Sequence, residues 1–348
     1  MQALVLTGNA QFALEERSLP SKTEEFPVLV RVAHVGVCGS DIPRAFTGGA
    51  YHYPLVLGHE FSGVVESSRA GGAITAGQRV AIFPLIPNPE EVINQIGEYA
   101  VASNYDYFGS RRDGGMQEYL AVPEFNCVPI PDHVSLDHAA MVEPCAVAYH
   151  AAARPRVDPG MSATVIGGGP IGNMVAQWLR VRGCDPVFVS EPDDRKRAIC
   201  GNMGFRVIDP RKEAVAESII SATDGGSDIV VEACGIPATY VQALECAGLF
   251  GQVVFLGNIS GDLTVPKQEV SRILRRELSI YGVWNSKVTP RGRDEWTRVL
   301  DAIGRTIQLE PLISHRVRLD TAAATLEAMH ARSVWFNKVL ISHGEVEQ

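Results

Sequence analysis

A chain of 348 residues is longer than a single hydrophobic core usually serves, so its length predicts about two domains with a cleft between them. With 46% hydrophobic and 20% charged residues, the composition is that of an ordinary globular protein and excludes a disordered or fibrous chain. The formal net charge of −9, without any run of lysine or arginine, argues against nucleic acid or an anionic membrane surface as a partner.

In chain order, the first residues lack a basic start followed by an apolar run, and no later stretch holds the roughly 18 apolar residues of a membrane span. A cytoplasmic location is the expectation. Residues 3–6, 28–37, 56–65, 79–83 and 116–122 read as short β segments punctuated by glycine and proline, with few helical periods between them. From about residue 162 the texture alternates. Strands are predicted at 163–166, 187–190, 206–208, 229–233, 253–257 and 279–283, and helix-length segments separate the first five. Such alternation forms a parallel sheet with helices on both faces, a doubly wound Rossmann-type domain. Helical patterns at 294–305 and 321–332 and a closing strand at 338–342 are predicted to return to the first domain. The expected division is therefore a β-rich domain over 1–149, a dinucleotide-binding domain over 150–285, and a returning segment over 286–348. Seven cysteines, an odd number with no CxxC pair, point to a reducing compartment.

The segment Val165-Ile166-Gly167-Gly168-Gly169-Pro170-Ile171-Gly172 contains GxGxxG, a weak signal by itself in a chain with 33 glycines. Its context strengthens it: an apolar strand precedes, a helix-competent segment follows, and Glu191 ends the next strand at the separation expected of a ribose-binding acid. Gly167 makes the tight turn, Gly169 lets a pyrophosphate approach the main chain, and Gly172 lets helix and strand pack closely. Pro170 and Ile171 open the helix whose N-terminus receives the phosphate charge. Glu191 also reads as a solvated acid before a helix. As a ribose ligand it would repel a 2′-phosphate, which favours NAD over NADP; Arg195 and Arg197 nearby keep NADP open as the lesser alternative.

Val37-Cys38-Gly39-Ser40-Asp41 and Leu57-Gly58-His59-Glu60 combine a thiolate, an imidazole and carboxylates, the donor types that suit zinc. Singly, Cys38 and His59 read as a buried cysteine and a hydrogen-bonded core histidine. CGSD followed about twenty residues later by GHE, then by an isolated Glu-Pro before the nucleotide fingerprint, resembles the zinc-dependent medium-chain alcohol dehydrogenases over nearly the whole chain. The resemblance implies a GroES-like catalytic domain joined to the Rossmann-type domain. It also implies one catalytic zinc in the interdomain crevice, held by Cys38, His59 and Glu143, with Glu60 as an alternative or transient ligand. One thiolate, one carboxylate and a neutral imidazole then balance Zn²⁺, which lowers the pKa of a substrate hydroxyl. Asp41 would fix the tautomer of His59. Ser40 would take the hydroxyl proton and pass it on through the cofactor ribose or a histidine such as His52.

Many members of that family hold a second, structural zinc with four cysteines. The corresponding positions here carry Asn88, Glu91, Asn94 and Ala102, so no such site is expected, and Val92, Ile93, Ile96 and Tyr99 are expected to pack the lobe instead. Residues 38–44, 50–63, 107–115 and 309–315, and a glutamate as third ligand, resemble the polyol-dehydrogenase branch. The expected activity is hydride transfer from a secondary alcohol of a polyol or polyol phosphate to NAD. Arg111 and Arg112 are candidate phosphate contacts or equally a solvated basic turn, and Trp284 is a further candidate substrate residue. A free sugar alcohol, a sugar acid or another secondary alcohol is the alternative substrate; a non-catalytic NAD(P)H-binding protein is the alternative of another class. The apolar last strand of the parallel sheet leaves an edge, so a homodimer or homotetramer is expected.

Overall fold

The computed structural model describes residues 1–289 and 294–344. The chain forms two compact units, Met1–Pro144 with Lys287–Gln348, and Cys145–Ser286.

The first unit is built on a mixed sheet whose central strand, Val28–Gly36, is rich in β-branched residues and lies mostly in the interior. It pairs antiparallel with Glu60–Ser67 on one side and Lys338–Ser342 on the other, and its first residues also pair with Tyr119–Val122. The last strand therefore brings a segment from the far end of the chain into this unit, beside residues near its start. A three-stranded sheet, Gln11–Glu16, Gln2–Gly8 and Leu55–Val56, and a hairpin-like pair, Leu85–Pro87 with Tyr105–Tyr107, are the other sheets of this unit among the described residues.

The β segment predicted over 56–65 is two strands. Leu55–Val56 pairs with Gln2–Gly8, Glu60–Ser67 with Val28–Gly36, and the chain breaks between them at Gly58, φ +95°. A side chain at Gly58 would also stand 2.6 Å from Val35 Cγ1. Only glycine allows this break, and the break sets His59 and Glu60 at the head of a buried strand.

In the lobe before Tyr105, the structure corrects one expectation. Val92 and Ile96 are 74% and 72% exposed, so they do not pack it. Tyr99 does pack it as expected, buried edge-to-face against Phe125 with ring centroids 5.5 Å apart, and polar ties run from Asn94 to the Asn88 carbonyl and from Ser103 to Glu91.

The second unit is a six-stranded parallel sheet in the order Arg206–Ile208, Val187–Ser190, Ala163–Ile166, Ser227–Glu232, Ala247–Phe255, Ser279–Gly282. Its strands Ala163–Ile166 and Val187–Ser190 are buried at every residue and Ser227–Glu232 at all but Asp228, as helices packed on both faces require. A helix, Lys267–Arg275, also separates the last two strands. No helix of the described residues is long and apolar enough to cross a membrane.

Candidate active site

Cys38 lies just after the central strand of the first unit, and His59 and Glu60 follow the Gly58 break. Those two loci bring one ligand atom each from Cys38, His59 and Glu60 within 4.8 Å of one another, with His59 and Glu60 buried and Cys38 half-buried. Asp41 backs them. Fully buried at the start of the helix Asp41–Phe46, it accepts a hydrogen bond from the Cys38 N–H at 2.9 Å and from Arg44 Nη1 at 3.1 Å. His59 Nδ1, buried and without a hydrogen-bond partner among the described residues, lies 3.5 Å from Asp41 Oδ1, the oxygen that Arg44 also reaches.

Glu143, in the first turn of the helix Val142–Ala153, stands outside the mutual 4.8 Å set. Its Oε1 accepts a hydrogen bond from the Tyr107 hydroxyl at 3.2 Å, and the Tyr107 ring packs against His59 with centroids 5.8 Å apart. Glu60 is held by Lys338, whose ammonium also donates to the Val37 carbonyl at 3.0 Å. Sequence reading did not single out Tyr107, Lys338 or Arg44. The first two reach the site through strand pairings distant in sequence; Arg44 lies three residues past Asp41 on one helical face, a spacing that was available as a signal.

The electrostatics fit a divalent cation. Burial pushes the Glu143 carboxyl up to about 7, a rise that His59 and Lys338 only moderate. Burial also opposes a charged His59, yet Asp41 and Cys38 outweigh it and hold the imidazolium well above the usual histidine range. A thiol, an imidazole and two carboxylates gathered in this way offer the donor set that zinc takes.

The remaining predicted residues fall around this group or in the second unit. Ser40 precedes the Asp41 helix, exposed, and its side chain caps nothing. His52 is exposed, and both its ring nitrogens face main-chain carbonyls, Pro54 O at 3.0 Å and Arg111 O at 3.1 Å. That leaves no ring nitrogen turned toward a substrate, which argues against the relay expected of it. Arg112 is paired with Asp106 at 2.6 Å and lies over Phe26, whereas Arg111 is stacked on Tyr105, with Tyr51 beyond at 5.5 Å, and pairs with no carboxylate among the described residues. Trp284 is exposed, just past the strand Ser279–Gly282 of the second unit.

In that unit Gly167 makes the turn after Ala163–Ile166 with φ +105°, and a Cβ on it would meet Cys234 Sγ at 2.7 Å. A Cβ on Gly172 would stand 1.8 Å from the Gly167 carbonyl, so helix and turn touch only because it is glycine. A Cβ on Gly169 would meet nothing within 4 Å: this is the open face a pyrophosphate needs. Gly169 caps the helix Pro170–Val181, with Pro170 at its first position and Ile171 half-buried behind it. Glu191 is buried. Its two oxygens accept from the Gly168 and Asp193 N–H groups, each at 2.8 Å, which leaves lone pairs for ribose hydroxyls.

The chain is similar to known dehydrogenases over nearly its whole length. The family model of the alcohol dehydrogenase GroES-like domain matches residues 24–132, and that of the zinc-binding dehydrogenases matches residues 170–305. Galactitol 1-phosphate 5-dehydrogenase of Escherichia coli K12 is 31% identical over 98% of this chain and 99% of its own. L-idonate 5-dehydrogenase of Vitis vinifera is 30% identical over 89% of this chain and 86% of its own. Among solved structures, E. coli galactitol-1-phosphate dehydrogenase superposes with a TM-score of 0.92 at 30% identity, covering 98% of this chain and all of that one. A zinc-binding dehydrogenase from Sinorhizobium meliloti, bound to NADP, gives 0.90 at 28% identity over 98% of both chains. The chain belongs to the zinc-dependent medium-chain alcohol dehydrogenases. Within them it falls in the polyol-dehydrogenase branch and is an NAD(P)-dependent dehydrogenase of that type.

Proposed function

We propose that this protein oxidises a secondary hydroxyl of a polyol or polyol phosphate resembling galactitol 1-phosphate, giving a ketose or ketose phosphate with NAD⁺ as acceptor. The observation that carries this reading is the meeting of Cys38, His59 and Glu60 within 4.8 Å, with His59 and Glu60 buried and Cys38 half-buried. Cys38 and His59 hold one zinc per chain, with Glu143 or Glu60 as the third protein ligand. When bound, the metal supplies the Lewis acidity that lowers a hydroxyl's pKa, and the dinucleotide supplies the hydride acceptor. Asp41 orients His59 and braces the Cys38 loop. Ser40, exposed beside Cys38, takes the hydroxyl proton.

For the acceptor, Glu191 favours NAD. The guanidinium of Arg197 is committed to the Glu191 and Pro192 carbonyls and to Asp194 and Asp209, so it is not available to a 2′-phosphate. For the substrate, Arg111 is the better phosphate contact of the two arginines, because Arg112 already has Asp106. An exposed sheet edge at Ser279–Gly282 supports a homodimer or homotetramer.

The test is metal analysis of the purified protein together with a screen of polyols and polyol phosphates against NAD⁺ and NADP⁺. Cys38→Ser should lose zinc and turnover together. Turnover by the zinc-free variant overturns the metal role, and a wild type that binds NADH while oxidising no alcohol favours the non-catalytic alternative.

A further inference from the structure

At the carboxyl end of the strand Ser227–Glu232, a fully buried carboxylate ties together the segments that border the dinucleotide crevice of the second unit. Glu232 Oε1 accepts hydrogen bonds from the Cys234 N–H at 2.8 Å, the Gly235 N–H at 2.9 Å and the Thr239 hydroxyl at 2.7 Å. Its main-chain carbonyl takes the N–H groups of Leu256 and Gly257 at 3.0 and 3.1 Å. Oε2 is buried with no hydrogen-bond partner among the described residues and lies 2.6 Å from where a Cβ on Gly257 would stand.

The two loops so held are in main-chain contact. A Cβ on Gly257 would meet the Gly235 nitrogen at 2.2 Å, and one on Gly235 would meet the Asn258 carbonyl at the same distance. The Ser260 N–H donates to Gly235 O at 2.9 Å. On the other flank, Cys234 Sγ donates to Ile166 O at 3.3 Å and abuts Gly167 of the nucleotide fingerprint.

Ala163–Ile166 and Ser227–Glu232 are neighbours in the sheet, with the earlier strands running off to one side and the later ones to the other. That is the topological switch point, across which a dinucleotide lies at the carboxyl ends of the strands. Glu191 stands on the side of the adenosine ribose. The Glu232 clasp stands on the opposite side, where the nicotinamide half falls.

We propose that Glu232 is a positioning residue for the nicotinamide half of the dinucleotide, acting through the clasp of loops 233–236 and 256–260. Glycine-containing loops have little conformational preference of their own. A carboxylate with three donors on one oxygen, charge-assisted and out of water, sets their spacing. The unpartnered second oxygen is a cost that a merely structural acid would not need to carry. The proposal rests on the dinucleotide-site reading and not on the metal.

Equilibrium binding of NADH and of ADP-ribose, which lacks the nicotinamide, to the full-length protein tests it. Glu232→Gln should weaken NADH about tenfold and leave ADP-ribose within about twofold. Thr239→Val, a milder loss of one donor, should weaken NADH about threefold with the same selectivity and carries the test if Glu232→Gln does not fold. Unchanged affinity for both ligands in the folded variants, or equal weakening of both, overturns the proposal whatever happens to the melting temperature. A wild type that binds neither ligand overturns the dinucleotide reading instead.

Discussion

Lys338 and Glu60 form an ion pair in the interior of the first unit, their side chains 4% and 1% exposed and 278 residues apart in sequence. Gly36 covers it, since a Cβ there would collide with Glu60 Oε2. Removing one member of a buried pair leaves an uncompensated charge, at a cost of about 3 to 5 kcal/mol. Lys338→Met should therefore destabilise the protein by that order in urea unfolding, and adding Glu60→Gln should restore part of it. A loss near 1 kcal/mol or less, the scale of a solvated pair, would show that the charges are not desolvated as the structure has them.

Tyr107 donates to Glu143 while its ring rests on His59. It thus stands behind two proposed ligands at once. Partners of this kind are worth about 10- to 100-fold in metal affinity, so Tyr107→Phe should release zinc to a competing chelator at correspondingly lower chelator concentration. Unchanged zinc retention would remove Glu143 from the ligand set or Tyr107 from its support.

The doubly wound unit was legible because its strands at 163–166 and 187–190 are bounded, mostly apolar runs and its glycines sit where turn geometry demands them. The candidate ligands Cys38, His59 and Glu60 were legible as donor types, but their convergence depends on Gly58, whose positive φ leaves no trace in a hydropathy pattern. Lys338 was read as the start of a strand, since nothing local marks a lysine whose partner lies at the other end of the chain. Val92 and Ile96 misled because apolar character was taken for burial. The short 3₁₀ segment Val92–Ile96 buries no residue, and of the four residues expected to pack the lobe Tyr99 is the buried one.

Arg111 and Arg112 are adjacent in sequence but differ in partners, and this separates their expected roles. The Arg112 guanidinium is neutralised by Asp106, while that of Arg111 lies 4.3 Å from the Tyr105 ring centroid with no acid beside it. Arg111→Ala should raise KM for a phosphorylated polyol by about tenfold or more, the scale of a charge-assisted contact. KM for the free polyol should move little. Arg112→Ala should affect both substrates alike and lower stability. Equal effects of Arg111→Ala on the two substrates would refute a phosphate contact there.

His343 gives the fold a defined acid sensitivity. Burial lowers its pKa to about 4, against a small opposing effect of its hydrogen bond to the Gly115 carbonyl, which Nε2 makes at 2.9 Å. Nδ1 is buried without a partner among the described residues, which offer a second proton no acceptor. The folded-state value lies below that of the unfolded chain, about 6.5. Above pH 6.5 both states are neutral and the residue adds no pH dependence. As pH falls from 6.5 towards 4, the unfolded chain binds a proton that the native state refuses, and stability declines by about 1.4 kcal/mol per unit, about 3 kcal/mol in all. His343→Gln keeps a donor for Gly115 and removes the titration. Urea unfolding at pH 7 and pH 4.5 should show the wild type losing roughly 2 to 3 kcal/mol more than the variant over that interval. Parallel losses in the two proteins would mean that His343 takes up its proton in the folded state.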